Sequence, residues 1–502
     1  MSMTQASSEY FEKIAGQWDT IRAGYFTEAV RETAIAKAYL SQDMTVADVG
    51  AGTGFMAAGL APLVEKVYVI DGSSAMLEVA RKNLREFTNI VYQTGESLAI
   101  PLPDSSLDAV FANMYLHHCV DPLGAIREMA RLLKTGGRLV ITDMDAHPYA
   151  WLKEEMTDVW QGFDRPQVRD WFVQAGLVNL IVNRTGQSCC AESETLTVTD
   201  PQSRQAQISI FVGVGTKPVP GVVKAVQEGY TATVEGRGGC CSTGQQTGDD
   251  PSSCCGGPTS QEDVNFVGGY SESEQTEVPA DAAEISLGCG NPIALANLKP
   301  GEVVVDIGSG GGMDSFLAAR RVGEAGKVIG VDMTPAMLER ARATAVKNGY
   351  RQVEFREGLA EALPVDDGSV DVILSNCVIN LTADKGKVFG EAFRVLREGG
   401  RLEVSDMVTD RSFPIALRTD PTQWAGCVSG ALPEQEYLDL IAQAGFKDIR
   451  ARRSASAGET SGVRVYSLLV SARKGSGQTG RFEILEDQRT SSSCGCGSGC
   501  CG

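Results

Sequence analysis

At 502 residues, with 43% hydrophobic and 22% charged side chains, the chain is too long for one ordinary domain and apolar enough to fill two or three cores. Its formal net charge of −19 disfavours nucleic acid and anionic membrane as partners, because phosphate binding wants basic surface. No apolar run reaches the length of a membrane span, and the N-terminal MSMTQASSEYFEKIAGQW lacks a signal-peptide core; the expectation is a cytoplasmic protein whose thiols are kept reduced.

The first strand signal is VADVGAGTG (46–54), a β-branched apolar run entering a glycine-rich turn, with Asp48 at its head and Gly50, Gly52 and Gly54 spaced G-x-G-x-G. A second strand, in VYVIDGSSAMLEVAR, ends on Asp71. GESLAIPLPDSSLDAVFAN (95–113) then carries Glu96 and reaches a fourth strand ending on Asn113. NMYLHHCVDP follows, with His117, His118 and Cys119; the histidine pair reads first as structural, at a strand end where it would cap a helix starting near Asp121, with a catalytic role as the alternative. EMARLLKTGGRLVITDM (128–144) and VQAGL (173–177) come next. Cys189 and Cys190 either bind a thiophile or sit in a loop before a closing strand, ISIFVGVG (208–215).

Residues 236–262 are rich in Gly, Ser, Thr and Cys, a loop by composition that carries Cys240, Cys241, Cys254 and Cys255. Beyond it the pattern repeats. VVDIGSGGG (304–312) holds Asp306, Gly308, Gly310 and Gly312. VIGVDMTPAMLERAR ends its strand on Asp332 and continues with Met333. GLAEALPVDDGSVDVILSN (358–376), with Leu359 and Ala360, ends on Asn376, and EAFRVLREGGRLEVSDM (391–407) and AQAGF (442–446) close the series. An offset near 260 residues means a duplicated domain and not a short-period repeat. Alternating strand and helix signals predict an α/β fold in each copy, a mostly parallel sheet with helices on both faces, with ligands at the carboxyl ends of the strands. The tail from Gly475, ending SSSCGCGSGCC, has too much Gly and Ser for a packed core and is expected to be flexible. Its four thiols suit soft-ion capture on a tether, with an inert tail as the alternative.

Both glycine loops resemble the S-adenosylmethionine loop of class I methyltransferases, and the GGRL segments at 136–139 and 399–402 resemble that family's hairpin-like approach to the fifth strand. The resemblance implies two tandem Rossmann-like domains. It implies S-adenosylmethionine held by Asp306, Gly308, Gly310, Gly312, Asp332, Met333, Leu359, Ala360 and Asn376 in the second copy, and by Asp48, Gly50, Gly52, Gly54, Asp71, Glu96 and Asn113 in the first.

Residues 221–474 resemble arsenite methyltransferases more closely, through SLGCGNP, DIGSGGGMDSFLAA, GVDMTPAM, SNCVINL and AGCVSGAL. That resemblance implies that Cys289, Cys377 and Cys427 hold As(III), with Cys240/Cys241 or Cys254/Cys255 as redox thiols. Thiolates prefer soft centres. An arsenic lone pair can attack a sulfonium methyl with no general base, so the protein's work is positioning. Arsenite and methylated arsenicals are then the small-molecule partners, and thioredoxin or glutathione the reductant. The first copy has Met114 where the second has Cys377, and its acceptor stays open. Other thiophilic or organic acceptors, and plain arsenic sequestration, are the alternative functions. The expected boundaries are 1–218 for the first domain, 219–285 for a Cys-rich segment, 286–410 for the second core, 411–474 for its substrate-binding part, and 475–502 for the tail.

Overall fold

The computed structural model describes residues 5–193, 204–234, 270–283, 290–426, 428–477 and 482–485. The chain divides into one unit of residues 1–220 with 414–419, and another of 221–413 with 420–502.

In the first unit the strands are β1 (Thr45–Val49), β2 (Lys66–Asp71), β3 (Ile90–Thr94), β4 (Leu107–Asn113), β5 (Leu133–Met144), β6 (Val178–Glu192) and β7 (Gln205–Thr216). They form one sheet in the order β3-β2-β1-β4-β5-β7-β6. The first five are parallel, and β7 runs antiparallel to β5 and β6. The central strands β1 and β4 are buried almost throughout, which is why they read as continuous apolar runs and not as an alternation. The covering helix Pro122–Leu132 starts on Asp121, whose side chain accepts the Gly124 N–H at 2.9 Å, with proline in its first turn. It buries Ala125, Ile126, Met129 and Ala130 on one stripe, and each large side chain so buried contributes about 1.5–3 kcal/mol.

The second unit repeats this plan with β8 (Val303–Ile307), β9 (Lys327–Asp332), β10 (Val353–Glu357), β11 (Val370–Asn376), β12 (Leu396–Thr409), β13 (Lys447–Thr460), β14 (Val463–Arg473) and β15 (Phe482–Leu485). The order is β10-β9-β8-β11-β12-β14-β13-β15, with β14 antiparallel to both neighbours. Asp384 caps the helix Lys385–Val395 as Asp121 caps its counterpart, accepting the Lys387 N–H at 3.1 Å. In both sheets the strand order reverses between the first and fourth strands of the copy, and a crevice opens there at their carboxyl ends.

Three sequence expectations need correction. Cys189 and Cys190 are not in a loop: they lie in β6, opposite Ile208 and Gln207, beyond a register shift between Arg184 and Ser188 that lets the strand continue. The GGRL segments are not a hairpin: they lie inside β5 and β12, at irregular entries where the pairing shifts past Leu107 and Val370 and where Gly136 and Gly399 take φ of +70° and +79°. The tail from Gly475 is not wholly without structure. Phe482–Leu485 pairs parallel to β13, because the alternation in FEIL fits a sheet edge that still offers unpaired backbone groups.

Candidate functional sites

In the second unit β8 delivers a loop in which Gly308, Gly310 and Gly312 all have positive φ, at +70°, +49° and +93°. A Cβ on Gly308 would collide with the Val378 side chain, so this turn needs glycine for space as well as for conformation. Asp332 at the end of β9 clamps the loop. Its carboxylate accepts the Gly310 N–H at 2.9 Å and the Thr334 N–H at 2.8 Å. Asp306 accepts the Ser315 hydroxyl at 2.6 Å, and burial, with Asp314 nearby, raises its pKa to about 8. Burial raises Asp332 as well.

These groups surround a cavity of about 110 Å³ lined by Asp306, Gly308, Gly310, Asp332, Met333, Leu359, Ala360, Asn376 and Cys377. Gly312 stands behind that wall, where it starts the helix Met313–Val322 and packs against Phe316 and Phe355. Sequence reading missed Tyr270 and Asp314. Asn376 Nδ2 donates to the Tyr270 hydroxyl at 2.8 Å, to the Gly290 carbonyl at 2.8 Å and to Asp314 at 3.2 Å, and the Tyr270 hydroxyl donates to Asp314 at 2.5 Å. Asp314 was findable as an acid in the first turn after the glycine loop. Nothing in the local pattern around Tyr270 announces it.

Cys377 follows β11 with φ of +58°, is 4% exposed, and donates its backbone N–H to the Ser405 carbonyl at 2.8 Å. Left-handed backbone costs a side-chain-bearing residue roughly 1–2 kcal/mol. Met114, its counterpart, has φ of +51° and donates to the Thr142 carbonyl at the same 2.8 Å. The turn therefore belongs to the duplicated scaffold, and the thiol is what this copy places on it. Cys377 is disulfide-bonded in this structure. The free thiols among the described residues are Cys119, Cys189 and Cys190. Cys289, Cys427, Cys240, Cys241, Cys254, Cys255 and the tail cysteines lie outside the described residues.

In the first unit the same construction recurs. Gly50, Gly52 and Gly54 have φ of +69°, +53° and +89°. Asp71 accepts the Gly52 and Ser73 N–H groups, each at 2.8 Å. Asp48 accepts the Ala57 N–H at 3.0 Å, and burial raises its pKa to about 7. Asp48, Gly50, Gly52, Asp71, Glu96 and Asn113 line a cavity of about 600 Å³. Gly54 sits behind it and starts the helix Phe55–Leu60. The aromatic side chains of Phe11, Trp18, Phe26, Phe55 and Tyr115 line the same cavity, and none of these was singled out from sequence.

The histidine pair forms a short turn over Leu116–His118 rather than capping the next helix, which Asp121 caps. His117 Nδ1 lies 2.7 Å from Asp143, and His118 joins the wall of the 600 Å³ cavity. Burial alone would lower the His117 pKa, but Asp143 and then Asp158 lift it to about 9. Burial and the neighbouring His117 push His118 well below its ordinary value.

A methyltransferase-domain family matches residues 298–445 and a second one matches residues 47–141, one in each unit. An arsenite methyltransferase of Halobacterium salinarum is 42% identical over 224 residues, 45% of this chain and 57% of that protein. An arsenite methyltransferase of Aquipseudomonas alcaligenes is 37% identical over 206 residues, 40% of this chain and 57% of that protein. The structure of an arsenic(III) S-adenosylmethionine methyltransferase from Chlamydomonas reinhardtii is 36% identical, covering 41% of this chain and 74% of that one at a TM-score of 0.37. The chain thus spans a little over half the length of the two curated relatives.

With two glycine cradles, each clamped by a strand-end acid at a switch point, both units have the class I S-adenosylmethionine-dependent methyltransferase fold, and each matches a methyltransferase-domain family. More particularly, the chain is homologous to arsenite methyltransferases.

Proposed function

We propose that the second unit methylates trivalent arsenic. The reading is supported above all by the 42% identity to an arsenite methyltransferase, in a chain whose second unit sets a cysteine on the wall of the donor cavity. In this reading Cys289, Cys377 and Cys427 are the thiolate ligands of As(III), and the glycine loop with Asp306, Asp332, Met333, Leu359, Ala360 and Asn376 holds S-adenosylmethionine. The arsenic lone pair attacks the sulfonium methyl, the carbon–sulfur bond breaks, and S-adenosylhomocysteine leaves. The arsenic is formally oxidised by two electrons. Two thiolates closing to a disulfide return those electrons, with Cys240, Cys241, Cys254 and Cys255 as the accessory donors, and thioredoxin or glutathione reopens the disulfide. Cys377, disulfide-bonded here, must be reduced before it can bind arsenic. The first unit carries its own donor site, from Asp48, Gly50, Gly52, Gly54, Asp71, Glu96 and Asn113, for a separate acceptor. No helix among the described residues is long and apolar enough to cross a membrane, and a reducing cytoplasm is the compartment that this thiol chemistry suits.

The test incubates the purified chain with S-adenosylmethionine, arsenite and a thiol reductant, then separates the arsenic species, beside Cys377→Ser. Methylated arsenic from the wild type and none from the variant is the expected result. Arsenite bound tightly but never methylated would replace this reading with sequestration.

A further inference from the structure

The first unit carries a buried cluster that methyl transfer by the second unit does not use. His117 Nε2 lies 3.8 Å from Asp158 Oδ1, and His118 Nδ1 lies 3.7 Å from the same oxygen. The three donor atoms all fall within 4.8 Å of one another, on residues that are each buried. At these distances the donors face one another without hydrogen-bonding. His118 is 6% exposed, and its Nδ1 has no hydrogen-bond partner among the described residues.

The surroundings are arranged as a metal ligand's surroundings are. His117 Nδ1 is held 2.7 Å from Asp143, whose other oxygen accepts the His117 backbone N–H at 3.3 Å. A carboxylate behind a histidine fixes the ring and its tautomer and turns Nε2 outward, the usual support of a ligating histidine. Asp143 in turn takes the Met144 N–H at 2.8 Å, which anchors it to β5.

We propose that His117 Nε2, His118 Nδ1 and Asp158 form a binding site for one divalent ion of the zinc type. Two imidazoles and one carboxylate suit a borderline ion and not magnesium or calcium, which prefer all-oxygen shells. Bonds of about 2.0–2.2 Å in a tetrahedron place donors roughly 3.4 Å apart, so the spacings of 3.8 and 3.7 Å to Asp158 need to close by less than about half an ångström, and the two imidazole nitrogens, within 4.8 Å of each other, by at most about 1.4 Å. Three protein ligands leave a fourth position open. Of the three ligands His118 also lines the cavity that the glycine loop lines, so the ion would sit behind that cavity's wall.

The duplication supplies an internal control. The positions of His117 and His118 are Asn380 and Leu381 in the second unit, where Asn380 Nδ2 donates to the Met407 carbonyl at 2.6 Å and Asp406 stands in the place of Asp143. The common scaffold therefore does not require the cluster.

The test uses the full chain, stripped of metal and with its accessible thiols alkylated, so that the cysteine-rich segments cannot compete. Co²⁺ is titrated while visible absorption is followed. The wild type should take up one more equivalent than His118→Leu or Asp158→Asn. Its ligand-field bands should appear without the near-ultraviolet charge transfer that marks thiolate ligands. Near-ultraviolet circular dichroism checks that each variant is folded. Equal uptake by the wild type and a folded variant, or bands that carry thiolate charge transfer, would overturn the site. So would an alkylated wild type that binds no Co²⁺, whatever the variants do.

Discussion

Asp332→Asn tests the donor site where its geometry is best defined. Asp332 holds the loop through the Gly310 and Thr334 N–H groups, and its remaining lone pairs face the cavity where a ribose diol would bind. Asparagine keeps the shape but turns one oxygen into a donor, which then meets either a backbone N–H or a ribose hydroxyl. One hydrogen bond to a charged acceptor is worth about 1.5–3 kcal/mol. S-adenosylmethionine should therefore bind the second unit roughly 10- to 150-fold more weakly, at 1.4 kcal/mol per tenfold. Isothermal titration calorimetry on the full chain reads this directly. The wild type should bind two equivalents, Asp332→Asn should weaken one, and Asp71→Asn should weaken the other, because Asp71 clamps Gly52 and Ser73 in the same way. If both variants still bound two equivalents with dissociation constants within about threefold of wild type, the clamp reasoning would fail.

Phe316→Ala empties a fully buried position packed against Tyr350 and Phe355, and should cost the second unit about 3–5 kcal/mol in urea unfolding while the first unit's transition stays in place. Glu403 is 2% exposed and burial raises its pKa to about 7; one oxygen accepts the Ser471 hydroxyl at 2.9 Å and the other has no partner among the described residues. A raised carboxyl contributes stability that is complete below its unfolded pKa and lost as pH rises through 7, so Glu403→Gln should gain about 2–3 kcal/mol over wild type between pH 5 and pH 8. Parallel pH curves for the two proteins in urea would refute that assignment. Gly308→Ala puts a Cβ into Val378 at φ of +70°, and should abolish donor binding in the second unit while leaving the first unit's equivalent measurable by calorimetry.

The amino-acid sequence by itself determined the duplication, the α/β class and the two donor loops. Those features are local. A glycine turn after an apolar strand and an acid at the next strand's end are fixed by neighbours within about 30 residues, and each appears twice. The position of Cys377 just after the fourth strand was legible for the same reason. Only the tertiary structure decided which distant groups meet. Tyr270 and Asp314 converge on Asn376 from well-separated segments, and His117 meets Asp143 and Asp158 across the end of β5. No local pattern encodes such encounters, because they depend on how strands are ordered in the sheet. The cysteine pair 189/190 shows the converse: its small polar neighbours suggest a loop, and the pairing partner β7 holds it in a strand. Sheet context outweighed local propensity there, since the backbone groups of β6 that face β7 gain partners that a loop would leave to water.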